Sequence, residues 1–94
     1  MKSTLKILFA DDDLKYSLVL KRFLEREGYE VTYTGNGTMA LEQFPVVKPD
    51  LVLLDINMPG LNGFEVAEKI REQDRHVLIF FLSDRCLLYT SPSP

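Results

Sequence analysis

Three short runs limit what this chain can fold into: LKILFA at 5–10, LVLL at 51–54 and HVLIFFL at 76–82. Each is nearly unbroken in apolar residues. A strand with one wet face alternates apolar and polar side chains, whereas a strand covered on both faces need not. The runs are also far shorter than the roughly 18 apolar residues of a membrane span. They read as strands of a parallel sheet buried between helices. The intervening segments agree. Residues 14–27 put Tyr16, Val19, Leu20, Phe23 and Leu24 on one face at helical spacing, and Gly28 suits the left-handed position that ends a helix. YEVTYT at 29–34 alternates and is rich in β-formers, as in a strand nearer an edge. GNG at 35–37 is a turn, and 38–44 is a short helix with Ala40, Leu41 and Phe44 inward. Pro45 and Pro49 bracket a loop. A second loop covers 57–62, and 63–73 is a helix burying Phe64, Val66, Ala67 and Ile70. Strand and helix thus alternate throughout. The fold expected is α/β, an open, doubly wound parallel sheet. In that architecture function sits beyond the carboxyl ends of the strands, where the strand order reverses.

Bulk properties exclude several roles. Ninety-four residues make one domain at most. A net charge of −3 leaves no basic footprint for nucleic acid. The single cysteine, Cys86, allows no internal disulfide and fits a reducing compartment. The opening MKSTLKILFADDD has too short an apolar run for a signal peptide, so the cytoplasm is the default location and no membrane partner is expected.

The chemistry-bearing residues are acids. Asp11, Asp12 and Asp13 follow the first strand, and Asp55 follows LVLL directly. A carboxylate at the end of a buried strand is costly unless something neutralises it. If the first and third strands are parallel neighbours, their acids meet at one end of the sheet. Like charges that close raise one another's pKa or recruit a cation. Carboxylate and carbonyl oxygens are ligands for Mg²⁺, which keeps several waters and accepts a phosphate. The competing reading of the Asp triplet is a solvated turn with Asp13 as helix N-cap. It does not account for Asp55, which four apolar residues precede.

The pieces ILFADDD, REGYEV, KPDLVLLDINMPGLNGFEV and IFFLS occur in this order. Together they resemble the receiver domain of bacterial two-component response regulators. The resemblance implies a flavodoxin-like receiver fold with strand order 2-1-3-4, the fifth strand of that family being missing here. It implies that Asp55 accepts a phosphoryl group from a histidine kinase or phosphotransfer protein. It makes Asp12 a direct ligand of Mg²⁺ (or Mn²⁺), with Asp11 acting through water. Asp55 and the backbone carbonyl of Asn57 complete the metal set. Ser83 matches the hydroxyl residue that hydrogen-bonds the phosphoryl group, Met58 and Pro59 shape the loop, and Gly63 permits the turn into the helix. His76 reads as a surface residue at a strand start. The chain would be no enzyme beyond self-phosphotransfer and self-dephosphorylation. Leu14 and Leu18 lie opposite the core face of their helix, where the family docks partners. A complete domain would also be a candidate homodimer. Asp84 departs from the family, which has a small residue there, and no lysine follows Lys69 to contact the phosphate.

The end of the chain reads differently. CLLYTSPSP at 86–94 can be written in codons that reproduce a transposon-end sequencing adaptor translated in frame. The expected organisation is a partial receiver domain over 1–85 and a non-native or disordered tail over 86–94, leaving the fourth strand as an exposed apolar edge. Three other functions compete on the same residues. A flavodoxin-like flavin binder would need a Ser/Thr/Gly-rich phosphate loop after the first strand, and DDDLKYS there would repel a phosphate lacking a metal. An Asp-nucleophile phosphohydrolase would use the DDD triplet, but Lys15 stands where that pattern needs Thr or Val. A phosphorylation-independent dimerisation module is favoured by Asp84 and by the absent lysine, and opposed by the intact acids.

Overall fold

The computed structural model describes residues 4–82 and the strand at 88–90. Its elements run β1 (Lys6–Ala10), α1 (Leu14–Arg26), β2 (Glu30–Thr34), α2 (Gly37–Val47), β3 (Leu51–Asp55), α3 (Gly63–Gln73), β4 (Leu78–Leu82) and β5 (Leu88–Thr90). The sheet order is β2-β1-β3-β4-β5. The first four strands are parallel, as expected from their unbroken apolar runs. Among the described residues no helix is long and apolar enough to cross a membrane.

Period-2 alternation splits each buried strand between two cores. Leu8, Val52, Leu54, Ile79 and Phe81 face α2 and α3, where Phe44, Val66 and Ile70 meet them. Ile7, Phe9, Leu53 and Leu82 face α1, which adds Tyr16, Leu20 and Leu24. This second face is not filled. A groove of about 510 Å³ lies between α1 and the strands, lined by Ile7, Leu20, Phe23, Leu53, Leu78 and Phe80 among others. At the amino ends of the strands one residue ties three of them together. Asp50 donates its N–H to the Lys6 carbonyl (2.8 Å), its carboxylate accepts the Lys6 N–H (2.9 Å), and its carbonyl accepts the Leu78 N–H (3.4 Å).

Gly28 ends α1 with φ +102°, as its place in the sequence suggested. Several other expectations need correction. Val19 and Phe23 are 69% and 56% exposed. The helix is rotated so that Ser17, small and polar, is its fully buried residue. Phe64 is 48% exposed, although its ring packs on Phe81 at a centroid distance of 4.8 Å. Helix α2 does not stop at Phe44. It runs through Pro45 to Val47, and Lys48 closes it in a left-handed conformation (φ 51°). Proline deprives a helix of one N–H and crowds the preceding turn. Here it falls in the last turn, and the Lys48 N–H still reaches the Phe44 carbonyl at 3.0 Å. Strand β4 begins at Leu78 rather than at residue 76, because the Asp74 carboxylate accepts the N–H groups of His76 (2.8 Å) and Val77 (3.2 Å) and holds them in a turn. His76 is exposed, as expected.

The edge beyond β4 also differs. Leu88–Thr90, from the tail set aside on sequence grounds, pairs antiparallel with β4 in the register Phe80↔Thr90, Phe81↔Tyr89 and Leu82↔Leu88. An unpaired apolar edge is a template for any extended segment. The order 2-1-3-4 therefore holds for the parallel strands, and a short antiparallel strand occupies the place beyond them.

Candidate functional site

The site lies at the carboxyl ends of β1 and β3. Phe9 pairs with Leu53 and Ala10 with Leu54, so the next residues, Asp11 and Asp55, emerge side by side. They share the parity of Phe9 and Leu53, which sends both carboxylates to the same side of the sheet. Asp12 joins them. One carboxylate oxygen from each of Asp11, Asp12 and Asp55 lies within 4.8 Å of the others. Asp11 is buried, Asp55 half-buried and Asp12 exposed.

Each acid is held by its neighbours. The Asp11 N–H donates to the Thr34 carbonyl (3.2 Å), adding one rung to the β1–β2 ladder. Its Oδ1 accepts the Asp13 N–H (3.0 Å), which curls the chain toward α1. The Asp11 carbonyl accepts the Tyr33 hydroxyl at 2.6 Å. Asp13 is the N-cap of α1, accepting the Tyr16 N–H at 3.2 Å, so the structural reading of the triplet holds for this one member. Asp55 Oδ1 accepts the Asn57 N–H (3.2 Å). The following loop is anchored by buried Met58 and by the Ile56 N–H, which donates to the Leu82 carbonyl (3.1 Å). Helix α3 then starts with a capping box in which Asn62 and Glu65 exchange backbone-to-side-chain bonds of 2.9 Å. Gly63 is needed here for closeness. A Cβ would lie 2.5 Å from the Asp55 carbonyl oxygen.

Burial, a hydrogen bond that the protonated Asp55 carboxyl donates to the Asp11 carboxylate, and the negative charges of Asp11 and Asp12 push the Asp55 pKa from 3.8 to about 7, against the lowering effect of the Asn57 N–H. The carboxyls crowd one another, and a cation relieves that crowding. All three donors are hard oxygens, the type that Mg²⁺ or Mn²⁺ takes. The residues therefore fit a divalent ion of this kind.

Asp11, Asp12 and Asp55 are thus brought together as the sequence suggested, and Asn57 stands beside them. Ser83 and Asp84 lie outside the described residues. Tyr33 was not foreseen. Its one sequence signal is indirect, a tyrosine whose register partner is Phe9, two residues before Asp11.

A sheet of this order carrying its acids at the reversal point defines a receiver-type α/β domain. The family model described as response regulator receiver domain matches residues 7–86. The chain belongs to this family, the receiver domains of two-component systems. It is 40% identical over 79 residues to Sensor protein EvgS of Escherichia coli, covering 84% of this chain and 7% of that protein. It is 32% identical over 78 residues to Sporulation initiation phosphotransferase F of Bacillus subtilis, covering 83% and 63%. The chain thus spans less than two thirds of these relatives. The crystal structure of response regulator protein TrrA from Thermotoga maritima, in complex with Mg(2+)-BeF, superposes with a TM-score of 0.81 at 41% identity, covering 85% of this chain and 70% of that one. Chemotaxis protein CheY4 of Vibrio cholerae gives 0.83 at 29% identity, covering 96% and 73%.

Proposed function

We propose that this chain accepts a phosphoryl group on Asp55 from a phosphohistidine of a histidine kinase or phosphotransfer protein. A carboxylate oxygen of Asp55 forms a bond to phosphorus as the phosphorus–nitrogen bond breaks, and the imidazole leaves with its electron pair and takes up a proton. The observation that carries this reading is the meeting of the Asp55, Asp11 and Asp12 carboxylates within 4.8 Å at the carboxyl ends of adjacent parallel strands. The chain's own contribution is positioning and charge, the main resources in phosphoryl transfer. Asp11, Asp12, Asp55 and the Asn57 carbonyl would hold Mg²⁺, which supplies charge neutralisation when bound. The Asn57 N–H steadies the Asp55 carboxylate. By the resemblance, Ser83 would donate its hydroxyl to the phosphoryl group.

The test is incubation with Mg²⁺ and a small acyl phosphate, read by intact-mass spectrometry. One phosphoryl group per chain is expected, and none on the Asp55→Asn variant. Equal labelling of that variant would overturn the assignment, and continuous turnover of the donor would favour a phosphohydrolase.

Leu14 and Leu18, 58% and 48% exposed on α1, are proposed as the surface that meets the kinase. Leu18→Glu should slow transfer from a kinase several-fold and leave the small-donor rate unchanged. Equal slowing with both donors would remove the docking role.

A further inference from the structure

We infer that Tyr33 is a positioning residue of the acidic site, acting through the Asp11–Asp12 peptide. This rests on the divalent-cation reading given above. Asp11 is held at the strand end by its N–H to the Thr34 carbonyl and its Oδ1 from the Asp13 N–H, and its carboxyl also meets that of Asp55. The bond to its carbonyl comes from a side chain of the neighbouring strand. The Tyr33 hydroxyl donates to the Asp11 carbonyl at 2.6 Å. The phenol is itself fixed, its ring meeting Phe9 edge-on at 5.7 Å and 60°. Phe9 and Tyr33 are register partners, so the contact belongs to the sheet and not to a loop.

The effect reaches Asp12 through covalent geometry. The Asp11 carbonyl and the Asp12 N–H share one rigid peptide plane. Beyond Thr34 the chain leaves β2 for α2, and the ladder supplies no further rung. The tyrosine bond is then what sets the tilt of this plane, and the tilt aims the Asp12 Cα and its carboxylate. Asp12 is exposed. Mg²⁺ demands nearly ideal octahedral geometry, so a small misplacement of one carboxylate lowers affinity.

Tyr33→Phe removes the oxygen and keeps the ring contact with Phe9. Calorimetric titration of the full chain with MgCl₂ is expected to show affinity weakened about tenfold, the lower end of what loss of an outer partner costs at a metal site. The metal-free variant should melt within a few degrees of the parent. Tyr29→Phe, which removes a hydroxyl just before the start of the same strand, should bind Mg²⁺ as the parent does. Unchanged affinity in Tyr33→Phe, with the parent binding normally, would overturn the inference alone. So would equal weakening in Tyr29→Phe, which would mean general loosening of β2. A parent chain that binds no Mg²⁺ would overturn the cation reading, and this inference with it.

Discussion

Among the described residues, α2 and α3 press thirteen buried side chains into a continuous core on one side of the sheet. On the other, α1 covers five such side chains, and a groove of about 510 Å³ stays open beside it. The acidic site draws on both sides. Asp55 is braced from the closed face, by Met58 in that core and by α3, whose first residue leaves no room for a Cβ against the Asp55 carbonyl. Asp11 and Asp12 are braced from the thinly covered face, through Phe9 and Tyr33. The half of the site proposed to accept phosphate therefore rests on dense packing. The half proposed to aim the cation ligands rests on a strand end and one hydroxyl. Packing density and site geometry are linked here, because loss of a buried contact is transmitted through a close-packed core and is absorbed by an open one.

The contrast can be broken at its strongest point first. Ile70→Ala empties a fully buried position on the closed face and should cost about 2–5 kcal/mol in urea unfolding. Leu20→Ala, at a half-buried position bordering the groove, should cost about 1 kcal/mol. Similar losses for the two would mean that the faces are equally packed in solution. A second measurement sharpens the contrast at the site. In the metal-free folded chain Asp55 keeps its proton to about pH 7, whereas its ordinary value is 3.8. The folded state therefore binds more protons than the unfolded state in that interval. The stability from this group is full below about pH 4 and is lost as pH rises through about 7. Stability measured without metal at about pH 5 and about pH 8 should fall in the parent, and fall less in Asp55→Asn. Equal slopes would show that burial and the neighbouring carboxyls do not raise the Asp55 pKa.

The parallel sheet was legible because continuous apolar runs such as LVLL have few other uses in a short chain. Asp55 was legible for the same reason, as a charge that the preceding residues cannot accommodate. The errors have a common origin: an apolar residue at helical spacing shows that a helix has a buried face, but not how the helix is turned. Val19 and Phe23 fit the stripe and are largely exposed, while Ser17, without an apolar side chain, is fully buried. Pro45 misled because one lost N–H bond to the preceding turn did not end a helix that Lys48 closes by donating its N–H to the Phe44 carbonyl. Tyr33 escaped because its role depends on register, and register is decided by pairing between distant segments. Gly63 was singled out for a turn, and the structure shows that closeness to Asp55 is what excludes a side chain.

The antiparallel contact between β4 and β5 has a consequence for the order of assembly. Leu82 and Leu88 meet across a short stretch of chain, whereas Ile7 must find Leu51 across two helices and a strand. Pairings between near neighbours form in microseconds, and those that close long loops come later. During folding, Leu88–Thr90 can shield the most apolar strand before that strand has met β3, acting for the nascent chain as a built-in chaperone of its own edge.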